Sequence, residues 1–415
     1  MLKRNRLVRL AVGLVLLSVV ISGCAPAATP TPQVVKETQV VKETQIVKET
    51  QVVVVTPTPA PPTDVIKIGY QGSLTGVGAY TCINIAMGMK VAAEEINEAG
   101  GVLGYNIEIV ALDDAGDPSQ AAASAHLLCD DPLVVAADSA CMSGEIIPSE
   151  PIYDACRMPV VTLNSNPQVT ELGYDNVFQY GLNDTMVPLG LADYLYEVKG
   201  FRTIAIAHDK RMWGEGVATN FKKRCEDLGM TVTSFQGVDP ESTDFSPLIT
   251  KIMAEDPEVF YYGGRTEGAL IVRQMKELGA PQFFAGGELT SAEWVAAAGD
   301  AAIGALTSTV APHRELNAKV TAYWDSFTEK YGVEPEPWTI YYYDGVYMLK
   351  EAIERAGSID REAIIEALRD TDYDGVIQRY QFRPDGKVVE GSVFVYEMQD
   401  DGQFHFIDQL KFGYD

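Results

Sequence analysis

The sequence predicts an α/β protein made of two doubly wound parallel-sheet lobes, and three observations predict it. Short apolar and β-branched runs alternate with helical segments from Asp64 onward. The alternation restarts near Asn183, after one complete series. About 350 residues follow Asp64, enough for two domains with separate cores. A β-then-α rhythm of this kind implies parallel strands with helices on both faces, because each parallel connection must cross back over the sheet.

In the first series, Asp64–Tyr70 (DVIKIGY) reads as a strand and Ile83–Gly100 as a helix closed by the pair Gly100-Gly101. Tyr105–Asp113 (YNIEIVALD) alternates as a second strand. Asp117-Pro118-Ser119-Gln120 then opens a helix, with Asp as N-cap, Pro at the first helical position and Gln at the third. Leu133–Asp138 is a strand, Glu145–Arg157 a helix and Pro159–Leu163 the next strand. The second series runs through helix Met186–Lys199, strand Thr203–His208, helix Gly214–Leu228 and strand Thr231–Gln236. It continues with helix Phe245–Glu255, strand Glu258–Gly263, helix Thr266–Leu278 and strand Gln282–Ala285. In such sheets ligands bind in the crevice at the carboxyl ends of the strands, so two series predict two facing crevice walls.

The segment before Asp64 is an address and a spacer. Lys3, Arg4, Arg6 and Arg9 precede the apolar run Leu10–Ile21, and Ile21-Ser22-Gly23-Cys24 closes it. A basic start, a short apolar run and small residues describe an export signal over residues 1–23. The run is shorter than the roughly 20 residues a membrane span needs. Its end on Cys24, in place of Ala-x-Ala, reads as a lipoprotein signal whose thiol is acylated, in preference to an ordinary signal that happens to contain a cysteine. The chain is thus expected to be extracytoplasmic, lipid-anchored to the outer face of the cell membrane or periplasmic. Residues 24–63 form a low-complexity tether in which Gln33–Thr38, Gln39–Thr44 and Gln45–Thr50 repeat a hexapeptide before a Pro-rich stretch. Period six fits neither a heptad nor a helix, and the repeat has no core to bury, so an extended spacer is preferred over a self-associating β-stalk.

Charge narrows the partners. The formal net charge is −26, and removing the four basic residues of the leader makes the remainder −30. Nucleic acid and an anionic membrane surface would both be repelled, leaving the lipid anchor as the membrane contact. Past Cys24, Cys82, Cys129, Cys141, Cys156 and Cys225 remain, and they lack zinc spacing; the four His are scattered, so no metal or cofactor is read. Cys141-Met142-Ser143-Gly144 loosely resembles a nucleophile elbow, but Gly-x-Ser-x-Gly is absent and no His base can be named. No Gly-x-Gly-x-x-Gly or Walker pattern follows a strand, so the chain is read as a binder and not an enzyme. A tethered sensor domain would need a membrane-spanning helix and an output module, and the sequence carries neither.

Five segments in register carry a resemblance. Ile66–Gly76 (IKIGYQGSLTG), Ile96–Leu103 (INEAGGVL), Asp113–Ala122 (DDAGDPSQAA), Ala205–Gly216 (AIAHDKRMWGEG) and Val259–Gly264 (VFYYGG) are similar to successive segments of the leucine/isoleucine/valine-binding proteins. These are type I periplasmic solute-binding components of branched-chain amino-acid ABC importers. The resemblance implies three crossover strands between lobes: 64–183 with 312–371 in lobe one, 184–311 with 372–415 in lobe two. It implies an amino-acid ligand, branched-chain or related, an ABC permease as partner, no cofactor and a monomer; a small carboxylate or amide is the alternative solute.

Site residues follow by matched position. Ser143 occupies the family's carboxylate-binding serine, at a helix start whose N–H groups favour an anion; a plain N-cap is its other reading. Asn164 and Asn166 match positions that give a backbone carbonyl to the ammonium and a hydroxyl to the carboxylate. Glu288 matches the acidic partner of the ammonium, against a solvated loop carboxylate, and Trp213 an aromatic that covers the ligand. Tyr80 or Thr81 lies in the first crevice loop, where a ligand-contacting tyrosine is common. Arg265 replaces a family aromatic and reads either as a rim salt bridge or as a second anion contact. The family's disulfide is not preserved, since Gly116 and Met142 stand at its positions. Cys82 and Cys141 both fall on crevice-side loops of lobe one, and Cys129 and Cys156 at the opposite ends of helices. Those two pairings make topological sense and leave Cys225 free.

Overall fold

The computed structural model describes residues 64–76, 78–287 and 289–413. The leader, Cys24, the hexapeptide repeats and Glu288 lie outside the described residues. Among the described residues no helix is long and apolar enough to cross a membrane.

The first lobe runs β1 (Asp64–Gly72), α1 (Ala79–Glu98), β2 (Tyr105–Asp113), α2 (Pro118–Asp130), β3 (Val134–Asp138), α3 (Ser143–Ala155), β4 (Val160–Thr162), α4 (Gln168–Glu171) and β5 (Val177–Gln179). The second continues α5 (Val187–Asp193), with a π turn after it, β6 (Thr203–His208), α6 (Met212–Asp227), β7 (Thr231–Gly237), α7 (Ser246–Glu255), β8 (Val259–Gly263), α8 (Glu267–Leu278), β9 (Phe283–Gly287), α9 (Ala292–Ala298) and β10 (Leu306–Thr309). The chain then makes α10 (Ala318–Tyr331), α11 (Thr339–Ala356), α12 (Arg361–Arg369), β11 (Asp372–Asp374), β12 (Arg379–Gln381), β13 (Glu390–Met398) and β14 (Phe404–Gly413).

One sheet has the order β2-β1-β3-β4-β5 and is wholly parallel. Within it β1, between β2 and β3, has Ile66 and Ile68 buried between helices; α1 offers Ile85 and Met89 to the same core, and α11 offers Val346 and Leu349. The other sheet has the order β14-β13-β10-β9-β8-β6-β7. Its members from β10 to β7 are parallel, but β13 and β14 pair antiparallel, a departure from the all-parallel expectation. The reason is local: a short turn through Gly402, at φ 75°, joins β13 to β14, and a connection that short can only return antiparallel.

Three segments pass between the lobes, after β5, after β10 and after β12. The hairpin β11–β12 corrects the expected boundary at residue 372, because it is fastened to the first lobe. Asp344 of α11, fully buried, accepts hydrogen bonds from the Val376 N–H (2.8 Å), the Tyr373 hydroxyl (3.1 Å) and the Tyr380 hydroxyl (3.0 Å). Burial pushes the Asp344 carboxyl up to about 6, while these donors pull the other way. Only β13 and β14 of that C-terminal stretch join the second sheet.

Both expected disulfides are present. Cys129–Cys156 joins the far ends of α2 and α3, and Cys82–Cys141 joins the first turn of α1 to the segment before α3. Cys225 is free and buried in α6.

Candidate ligand cleft

A cavity of about 630 Å³ opens where the carboxyl ends of both sheets meet, lined by both lobes and by two of the passing segments. From lobe one come Gly78 and Thr81 at the start of α1, Cys141, Met142 and Ser143 at the start of α3, and Leu163 to Pro167 after β4. Lobe two supplies Trp213, Gly216 and Asn220 from α6, and Arg265 after β8.

The helix starts differ in how their first-turn N–H groups are met. α2, α10 and α12 begin with Asp117, Asn317 and Asp360, each accepting a first-turn N–H with its own side chain. α1, α3 and α6, whose first turns line the cavity, begin at Gly78, Met142 and Arg211 with no such side-chain bond, as do α4, α5, α7, α8 and α11. The orphan N–H groups and positive dipole ends of α1, α3 and α6 are left for the cleft. Gly78 sits at φ 85°, a left-handed conformation that favours glycine, and a Cβ there would have to displace the flexible end of the Met142 side chain, 2.3 Å away.

Ser143 is the first helical residue of α3 and not its N-cap, which is Met142. The Met142 N–H instead donates to Glu145 Oε2 at 3.1 Å, and Ser73 donates to Glu145 Oε1 at 3.1 Å. Glu145 is buried beside Asp114, and burial with that neighbouring carboxylate pushes it up to about 7. With Glu145 serving the backbone of Met142, the Ser143 hydroxyl faces the cavity and meets Asn164 Oδ1 at 3.5 Å. Asn164 is locked by its amide, which donates to the Ala140 carbonyl (2.7 Å) and Thr162 Oγ1 (2.9 Å). Its backbone carbonyl, expected to face an ammonium, accepts from the Gln179 amide at 2.5 Å. Asn166, which lines the cavity, accepts the Gln168 N–H through its side-chain oxygen (2.9 Å), so its amide nitrogen is left as a donor.

In lobe two, a close approach sets the geometry. A Cβ on Gly214 would stand 2.6 Å from the Gly263 carbonyl oxygen, and one on Gly263 2.7 Å from that of Gly214. These glycines let the first turn of α6 touch the end of β8, which puts Trp213 under Arg265 with the guanidinium carbon 4.6 Å from the ring centroid. Glu267 steadies the loop by accepting the Arg265 N–H (3.3 Å) and the Tyr262 hydroxyl (3.1 Å).

Thr81, Ser143, Asn164, Asn166, Trp213 and Arg265 are therefore brought to one cavity. Tyr80 is not. The helix begins at Ala79, earlier than expected, which turns Tyr80 outward to 64% exposure while Thr81 faces in. Glu288 is outside the described residues. Sequence reading missed Asp184, which lines the cavity on the first passing segment. Burial pushes its carboxyl up to about 6, against hydrogen bonds from Ser165 and Trp213 and the charge of Arg265. It also missed Asn220, Trp338 and Tyr342; the Tyr342 hydroxyl is held by the Ala140 carbonyl at 2.7 Å.

The arrangement offers anion donors on one wall, a carboxyl at the crossing, and an aromatic under a cation on the other wall. Residues 65–403 match the family described as periplasmic binding protein. The leucine-, isoleucine-, valine-, threonine- and alanine-binding protein of Pseudomonas aeruginosa is 34% identical over 343 residues, covering 81% of this chain and 91% of that protein. An amino acid binding protein of the same organism is 32% identical over 344 residues, covering 82% and 92%. The crystal structure of a leucine binding protein, LivK, from Thermotoga maritima superposes with a TM-score of 0.71 at 28% identity, covering 83% of this chain and 99% of that one.

Proposed function

Because the chain belongs to the periplasmic binding protein family, we propose that it is an extracytoplasmic, lipid-anchored solute-binding protein. It captures an α-amino acid, branched-chain or related, and delivers it to an ABC importer. It acts as a monomer, without catalysis or cofactor, and Cys24 carries the lipid. The observation that carries this reading is the cleft itself, in which two uncapped helix starts with the Thr81 and Ser143 hydroxyls face a carboxyl and an aromatic.

The α-carboxylate takes the Ser143 and Gly144 N–H groups at the start of α3, which form no hydrogen bond among the described residues, together with the Thr81 hydroxyl and the Ser143 hydroxyl, whose bond to Asn164 is long at 3.5 Å. The ammonium takes Asp184 and Glu288. Trp213 closes over the ligand from lobe two. Each charged end of the ligand thereby exchanges water for matched partners, which is what makes its burial affordable. A small carboxylate or amide is the second reading, supported by Asp184, because a carboxyl with its pKa near 6 is partly neutral and a weaker ammonium partner.

A thermal-shift screen of the purified protein against amino acids, amides and small carboxylates tests this. A ligand that binds only the folded state stabilises it by about 2.7 kcal/mol at a hundredfold excess over Kd. Amino acids should raise the melting point. A rise produced only by ligands without an amino group would replace the first reading with the second.

A further inference from the structure

Resting on the amino-acid reading above, we propose that Arg265 sets the specificity of the cleft. The preferred solute is then an α-amino acid carrying a second anionic group, of the aspartate or glutamate class.

The guanidinium of Arg265 faces the cavity with its donors unspent. Among the described residues it forms no ion pair within 4 Å and donates no side-chain hydrogen bond; its recorded contacts are the Trp213 ring, the charge of Asp184 and its own backbone N–H to Glu267. Arg224 and Arg211 of the same lobe behave differently, while Arg273, also without a side-chain bond among the described residues, lies on the exposed face of α8 away from the cavity. Arg224 grips Asp193 with two bonds of 2.6 and 3.0 Å, and Arg211 reaches Asp209, Glu241 and Glu267. Those side chains spend their forks on the protein. Arg265 keeps its fork for the cleft.

Stacking explains how the fork is held there. A guanidinium lying on an indole face is fixed in orientation by the ring, while its N–H groups point outward in its own plane and stay available. Glu267 pins the backbone beneath it. The cleft thus has two positions that favour an anion, the start of α3 in lobe one and Arg265 in lobe two. One α-carboxylate can occupy only the first. A leucine side chain against Arg265 would desolvate the cation and give it no partner, whereas a second carboxylate can accept a bidentate pair.

The test is calorimetric titration of the full-length protein with glutamate, aspartate, leucine and valine, repeated on Arg265→Met and Arg265→Lys. The wild type should bind an acidic amino acid roughly 100-fold tighter than leucine. Arg265→Met should erase that preference and leave or improve leucine binding. Arg265→Lys should fall between, because it keeps the charge and loses the fork. If Arg265→Met lowers the unliganded melting point, Arg265→Lys alone carries the comparison. Leucine binding the wild type at least as tightly as glutamate, with the ratio unmoved by Arg265→Met, would overturn the specificity inference and leave the amino-acid reading standing. Failure of every amino acid to bind would overturn both.

Discussion

Removing the Cys82–Cys141 bridge should cost ligand affinity out of proportion to its cost in stability. The bridge spans 59 residues and has its halves beside the cleft: Thr81 adjoins one cysteine, and Ser143 lies two residues past the other. Cys129–Cys156 spans 27 residues in the same lobe, at the far ends of the helices, and serves as an internal control. On the loop-entropy model the two are worth about 4.2 and about 3.6 kcal/mol, so their removal should differ in stability by less than about 1 kcal/mol. Across roughly 350 residues melting together, either loss lowers the melting point by about 5–6 °C. The cleft separates them. Without Cys82–Cys141, the start of α1 and the approach to α3 keep local ties such as Tyr70 hydroxyl to the Cys82 carbonyl (3.0 Å) and Cys141 N–H to the Gln71 carbonyl (3.1 Å). The ligand must then order part of that wall, at a cost of about 1–2 kcal/mol, or about 5- to 30-fold in Kd. Calorimetric titration and differential scanning of Cys82→Ser/Cys141→Ser beside Cys129→Ser/Cys156→Ser measure both quantities. Equal affinity losses in the two variants, or none in the first, would refute the positioning role.

Three further outcomes are expected. Amino-acid affinity should rise with pH through about 6 as Asp184 ionises, and Asp184→Asn should flatten that profile and weaken binding at pH 8 by about 2 kcal/mol; titration at pH 5 and pH 8 checks it. Glu150 of α3 is fully buried with neither oxygen hydrogen-bonded among the described residues, and burial pushes it up to about 9. Its folded value exceeds its unfolded one, so the native state keeps a proton that the unfolded chain releases, and stability falls as pH rises. Urea unfolding should show a loss of about 1–3 kcal/mol between pH 7 and pH 9 that Glu150→Gln removes. Cys24→Ala should release the protein from the membrane fraction or leave it unprocessed, and an unchanged detergent-phase partition and mature size would show that Cys24 carries no lipid.

Regular elements away from the cleft were the legible ones. Tyr105–Asp113 and Thr203–His208 match their strands residue for residue, because alternation and bounding turn residues mark both ends. α2 begins where Asp117-Pro118 says it should. The cleft helices begin two to four residues ahead of their expected starts, at Ala79, Ser143 and Met212, and the cause is the site itself. A helix start left open to a ligand has no Ser, Thr, Asp or Asn cap to announce it. Asp184 escaped notice for a related reason. It lies on a segment between lobes, where burial comes from two domains meeting and leaves no local pattern. The antiparallel pairing of β13 against β10 and the hairpin held by Asp344 depend on contacts some 30 or more residues away, which periodicity does not encode.

On the proposed function, the cleft takes both charged ends of one amino acid. The most direct measurement is calorimetric titration of the purified protein with the amino acid that most raises its melting point, beside that compound's deaminated and carboxamide analogues. Saturable binding of one equivalent is expected, with each analogue weakened by about 2–5 kcal/mol and Ser143→Ala weakened by about 1–2 kcal/mol, since the backbone donors of α3 remain. An analogue that binds as tightly as its parent, with Ser143→Ala and Asp184→Asn both without effect, would contradict it.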